Sequence, residues 1–364
     1  MSYARSGVSL TGAVGEAAQD APMTPTTADQ QGRVGGRVDR DRRGGEPTGG
    51  PRKRRDRFTR PRLRILALVV LTAVTAYAVS AMNAEPHDAG TGQPPPSTAS
   101  SAAAGSATLI PGHRLVALYG HPDDPGLGVL GQQDLPAAVN RAEQVASQYA
   151  PLSDVPVLPA FEIIATIADK EAGEDGDYSA ETDPQTLQPW VDRAAAAGLY
   201  VILDLQPGRS DFLSQARRYT DLLTRPNVGL ALDPEWRLGP TQKHLEQIGG
   251  VDAGEVNRVL DWLADLTAAK GLPQKVVVLH QFQLSMLRDE ARIGFTAHPE
   301  LAVLVQMDGQ GTPELKDQTW AAVTAAAPPN TRFGWKDFLR NDTPTLTPEQ
   351  TMTKTPTPDL ISYE

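Results

Sequence analysis

Residues 200–235, YVILDLQPGRSDFLSQARRYTDLLTRPNVGLALDPE, read as strand, helix, strand, with an acid near the end of each strand. Tyr200–Gln206 is a short, branched, apolar run bounded by Pro and Gly, the pattern of a strand buried on both faces. In DFLSQARRYTDLLTR the apolar residues recur at spacings of three and four, which predicts a helix with one apolar face. Val228–Glu235 returns to strand. A helical connection of this length joins parallel neighbours, because antiparallel ones need only a tight turn.

The same alternation extends in both directions. Strands are predicted at Leu115–His121, Val157–Ala165, Lys275–Gln281, Ala302–Asp308, Arg332–Asp337 and Asp359–Glu364, making eight with the two above. Helical spacing recurs in LPAAVNRAEQVASQYA, LQPWVDRAAAAG, EVNRVLDWLADLTAAKG and PELKDQTWAAVTAAA, more weakly in SMLRDEARIGF and TPEQTMTKT, and not after the eighth strand. Eight such units over residues 107–364 predict an α/β fold, a closed (β/α)8 TIM-type barrel.

The first hundred residues lack the apolar periodicity of a packed core. Residues 1–64 carry 14 Arg and Lys against 7 Asp and Glu and read as a disordered basic tail. Residues 65–82, ILALVVLTAVTAYAVSAM, are uncharged and as a helix would span roughly 27 Å, about one bilayer core. The basic stretch before them, PRKRRDRFTRPRLR, predicts a single-pass anchor in the cell membrane, with the tail cytoplasmic and the C-terminal domain extracytoplasmic. Residues 83–106 are a Pro/Ser/Ala linker. The bias toward Ala, Gly, Arg and Pro resembles that of high-GC actinobacterial proteins.

Of the net charge of -10, the tail contributes +7, so everything after residue 64 carries -17. An acidic domain disfavours nucleic acid, which requires a basic surface. The absence of cysteine excludes disulfides, iron–sulfur clusters and thiol nucleophiles. With no GxGxxG, P-loop or GxSxG pattern, no nucleotide partner and no cofactor is expected.

In a barrel of this kind functional side chains gather at the C-terminal ends of the strands. Polar residues fall there on every predicted strand: Tyr119 and His121; Glu162; Asp204 and Gln206; Asp233 and Glu235; His280, Gln281 and Gln283; Gln306 and Asp308; Lys336 and Asp337; Glu364. In VGLALDPEWRL, residues 228–238, strand alternation puts Gly229, Ala231, Asp233 and Glu235 on one face and the leucines on the other. Two acids so close repel, which raises one pKa and yields an acid and a carboxylate side by side.

An Asp-x-Glu ending the fourth strand resembles the chitinase-type and muramidase-type glycoside hydrolases. Against the chitinase pattern DGxDxDxE, Gly229, Asp233 and Glu235 match, whereas Val228 and Ala231 replace two aspartates. The resemblance implies hydrolysis of a saccharide or envelope glycan without a metal. Glu235 would be the general acid, Asp233 its modulator, and Asp308, then Asp337, then Glu364, the nucleophile. Tyr119, His121, Glu162, Asp204, Gln206, His280, Gln283, Gln306, Trp335, Asp337 and Glu364 are the expected substrate-binding set. The alternative is a non-catalytic barrel that binds an envelope carbohydrate or partner. HPDD at residues 121–124 also resembles the opening of zinc-dependent N-acetylglucosamine deacetylases, which would make His121, Asp124 and His280 metal ligands; that family, however, uses an open sheet.

Overall fold

The structure, a computed structural model, describes residues 108–364. The expected tail 1–64, membrane helix 65–82 and linker 83–106 lie outside the described residues, among which no helix is long and apolar enough to cross a membrane.

Eight parallel strands close into a barrel: β1 Arg114–His121, β2 Val157–Ala168, β3 Tyr200–Leu205, β4 Val228–Leu232, β5 Lys275–Gln281, β6 Leu301–Met307, β7 Arg332–Asp337 and β8 Leu360–Tyr363. Each pairs with its neighbours in chain order, and β1 pairs with both β2 and β8, so the barrel has no open edge. The helices are α1 Leu135–Tyr149, α2 Pro184–Ala197, α3 Phe212–Arg218, α4 Thr220–Leu223, α5 Ala253–Ala269, α6 Pro313–Ala326 and α7 Pro348–Met352. Side-chain caps start several of them: Asp134, Asp183, Asp211, Thr312 and Thr347 each accept a backbone N–H of the first turn. Such a cap contributes about 1 kcal/mol.

Two expected helices differ. The one over 211–225 breaks at Tyr219, whose hydroxyl donates to the carbonyls of Ala165 and Thr182 at 2.7 and 2.9 Å and thereby ties the crossover to β2. SMLRDEARIGF, after β5, forms 3₁₀ turns at Leu284–Met286 and Glu290–Arg292, with Leu287–Arg288 paired to Val251–Asp252.

Strand alternation sorts the core into two layers. Leu115, Ala117, Ala160, Ile202, Ala231, Val276, Val278, Leu304 and Leu360 pack inside the barrel with Tyr200. Val116, Phe161, Leu203, Leu230, Leu232, Val277 and Leu279 face outward onto the helices, so the leucines flanking Ala231 point as expected. Gly229 is required by this floor. A Cβ there would stand 2.4 Å from the Val276 carbonyl and 2.8 Å from the Tyr200 hydroxyl, which itself accepts the Val276 N–H.

Candidate active site at the barrel mouth

Above the apolar floor the inward positions become polar. Gln306 of β6 donates to Ser362 of β8, beside Gly334 of β7, where any side chain would meet Gln306. One step further toward the C-terminal ends, Tyr119, Glu162, Asp204, His280 and Lys336 all point inward and are at most 2% exposed. Five strands thus converge on one charged cluster.

His280 sits at its centre. Its Nδ1 lies 2.7 Å from Asp308 Oδ2 and its Nε2 3.0 Å from Glu162 Oε1, with Asp204 Oδ1 3.9 Å away. A carboxylate on each nitrogen makes both nitrogens donors, so the ring is an imidazolium. Burial alone would lower its pKa, but Asp308, Glu162 and Asp204 outweigh burial and hold it well above the ordinary value. Lys336 Nζ bridges Asp308 Oδ1 at 3.1 Å and Glu364 Oε2 at 2.9 Å, and stands 3.4 Å from the centre of the Tyr119 ring. Tyr119 donates to Asp204 Oδ2 at 2.8 Å and accepts from Gln206 Nε2 at 3.4 Å.

The carboxyls diverge in their chemistry. Burial tends to raise the pKa of Asp308, yet Lys336 and His280 beside it hold it below the ordinary value, so it is ionised. Glu235 is pushed up to about 8 by burial and by the Asp308 charge, so it carries a proton at neutral pH. Asp233 is raised well above its ordinary range by burial, and Asp204 to about 6 by burial and Glu162.

Glu235 reaches this place by a route that alternation along a strand does not describe. The ladder of β4 stops at Leu232; Pro234 cannot donate to it and opens a single 3₁₀ turn, Pro234–Trp236, capped by Asp233, whose Oδ1 accepts the Glu235 N–H at 3.2 Å. Asp233 is therefore 2% exposed beneath the mouth while Glu235 is only partly covered at its lip.

Other expected site residues go elsewhere. Asp337 and Trp335, whose neighbour Lys336 faces inward, point outward into the helix layer. There Trp335 Nε1 donates to Asp337 Oδ1 at 2.8 Å and its ring packs edge-on against Trp320, centroids 5.5 Å apart. Wholly buried, Trp335 offers no platform for a sugar, and Asp337, beside Lys316 at 3.6 Å, is no nucleophile at the mouth. Gln283 is exposed on the loop after β5, and His121 turns to Thr182 Oγ1 at 3.2 Å. Lys336, passed over in favour of its neighbour Asp337, is the residue whose importance sequence reading missed; continuing the inward parity of Gly334 identifies it.

Among the described residues, two groups bring potential metal-ligating atoms within 4.8 Å of one another: Asp233, His280 and Asp308 at the mouth, and Asp175, Asp177 and Glu181 after β2. In the first group, both nitrogens of His280 already face carboxylates. His121 and Asp124 belong to neither group, and the closed barrel differs from the open sheet that a deacetylase implies. Open concavities of about 450 and 370 Å³ lie beside the loop after β2, not over the charged cluster, and share Asp175 and Glu181 in their walls.

No family model and no curated protein matches this chain. Solved structures resemble this chain only at low similarity. A xylanase–α-amylase inhibitor protein determined with trehalose is 12% identical, with a TM-score of 0.41 over 69% of this chain and 92% of its own. 7,8-Dihydropteroate synthase from Vibrio fischeri ES114 is 12% identical, with a TM-score of 0.32 over 70% and 88%. 2,3-Dimethylmalate lyase is 11% identical, with a TM-score of 0.36 over 69% and 75%. The functional reading rests on this chain's own residues.

Proposed function

We propose that the barrel hydrolyses a glycosidic bond in an envelope saccharide, held outside the cell membrane by residues 65–82. One arrangement carries the reading: Asp308 lies between Lys336 at 3.1 Å and His280 at 2.7 Å, which hold its carboxyl below the ordinary value, while burial and the Asp308 charge push Glu235 up to about 8. Acid and carboxylate set apart by environment are what glycoside cleavage requires.

Glu235 delivers its proton to the leaving oxygen as the anomeric C–O bond breaks, and Asp308 forms an ester to the anomeric carbon. Glu235, now a carboxylate, takes a proton from the water that displaces Asp308. Asp233 beneath it accepts the Glu235 N–H and so fixes the turn that carries the acid. Tyr119, Asp204 and Gln206 line the cluster from β1 and β3 and are the groups placed to meet sugar hydroxyls. The test is release of reducing sugar from a panel of wall and capsule polysaccharides by the full chain. Release that disappears in Glu235→Gln supports the reading, and no release from any polymer sinks it.

A second reading, a barrel that binds an envelope carbohydrate without cutting it, is favoured by the enclosure of the cluster: Glu162, Asp204 and His280 are 0% exposed. It predicts binding from that same panel without any new reducing ends.

A further inference from the structure

The barrel mouth contains more acid than its bases can answer. Glu162, Asp204, Asp308 and Glu364 meet there, beside Asp233 and Glu235 whose pKa values burial raises, and among the described residues His280 and Lys336 are the cations set against them. Both cations are already committed. His280 is held between Asp308 and Glu162, and Lys336 between Asp308 and Glu364.

Two buried carboxyl oxygens are left over. Glu162 Oε2 and Asp204 Oδ1 have no hydrogen-bond partner although both residues are 0% exposed, and the nearest cationic atom to Asp204 Oδ1 is His280 Nε2 at 3.9 Å. An acceptor stripped of water and left unmatched is costly, and a carboxyl accepts only from donors. A neutral hydroxyl supplies one proton for such a bond; a protonated amine supplies up to three and also answers the charge. A carboxyl borders the way in too, because Glu364 is a partly exposed member of the cluster.

The concavities at the same end of the barrel extend this character. Their walls hold Asp169, Glu171, Glu174, Asp175, Asp177 and Glu181, against Lys170, Arg209 and Arg218. They connect to the mouth through one chain of hydrogen bonds: Gln215 Nε2 donates to Ser179 Oγ, Ser179 Oγ to the Gln206 carbonyl, and Gln206 Nε2 to Tyr119 at the cluster. The acidic side chains lie in the walls of the concavities and at the mouth, where a polymer with repeated positive charges would meet them; the residues between are neutral and buried.

We infer that the saccharide taken at the barrel mouth carries free amino groups, a polycationic glycan of the glucosamine type and not its N-acetylated or neutral counterpart. This deepens the hydrolase reading and rests on it. The experiment is calorimetric titration of the full chain with glucosamine and N-acetylglucosamine oligomers of equal length, at low and physiological salt, with product release followed in parallel. The inference expects the amine oligomer to bind at least about tenfold more tightly and to weaken with salt. It also expects weaker amine binding in Asp204→Asn and, away from the proposed catalytic groups, in the Asp175→Asn/Asp177→Asn double variant. Equal or tighter binding of the acetylated oligomer overturns the inference, even if that oligomer is cut and Glu235→Gln abolishes the cutting, in which case the hydrolase reading survives. Selective, salt-sensitive binding of the amine oligomer without cleavage upholds the recognition while removing the hydrolysis. Binding of neither oligomer overturns the inference.

Discussion

Lys336 Nζ stands 3.1 Å from Asp308 Oδ1, both side chains nearly sealed from water, at 2% and 6% exposure. The pair sets the charge of the proposed nucleophile. Lys336→Met leaves Asp308 with His280 alone and raises its pKa toward the ordinary carboxylate value. The acid limb of a rate profile should therefore move to higher pH in the variant. A purely structural role for Lys336 would lower the rate equally at all pH values. Removing one partner of a buried pair costs on the order of 3–5 kcal/mol, so a fall in Tm accompanies the shift.

The profile of the unmodified protein follows from the same groups. Glu235 acts when protonated, so kcat/KM falls as pH rises through about 8. Asp308 acts when ionised, and Lys336 and His280 hold its pKa below the ordinary value, so the acid limb lies below the ordinary carboxylate range. A profile measured with any cleaved substrate checks both limbs. An alkaline limb near pH 5 would show that Glu235 is not the acid.

Stability should fall as pH rises from about 4.5 to 7. Asp204 and Asp337 titrate at about 6 and Glu235 at about 8, all above their unfolded values. Their contribution is complete below the ordinary carboxylate range and is lost as pH rises through these values. Fully buried Asp204 alone contributes on the order of 1–3 kcal/mol. Lys275, lowered to about 7 by burial, works in the opposite sense only above that pH. Thermal melts across the window check the sign; a Tm that rises toward pH 7 would contradict it.

Most of the eight strands are legible as apolar runs bounded by breakers, and Ala231 between Leu230 and Leu232 reports which face is interior. Strand parity does not extend through Pro234, where the ladder of β4 has ended, but does extend from Gly334 to Lys336, where β7 continues. Trp335 looked like a sugar platform because tryptophan at a strand end suits either face; only the packing of Trp320 against it decides. The turns of 284–292 were unreadable as such because their apolar spacing imitates a helix.

That correction is itself testable. Trp335→Phe should lower stability by about 1–3 kcal/mol, through lost packing and the lost bond to Asp337, and leave saccharide affinity unchanged. Denaturant melts and a binding titration of the same variant separate the two effects. A loss of affinity at unchanged stability would restore the platform role.

The central claim is that Glu235 and Asp308 are an acid and a nucleophile made different by their surroundings. Its most direct test is kcat/KM of the full chain, Glu235→Gln and Asp308→Asn on one cleaved glycan at neutral pH, with folding confirmed by thermal melts. The account predicts that each folded variant loses about 10²-fold or more, the lower end of what a positioned acid supplies. A folded Glu235→Gln that keeps most of the wild-type rate would contradict it.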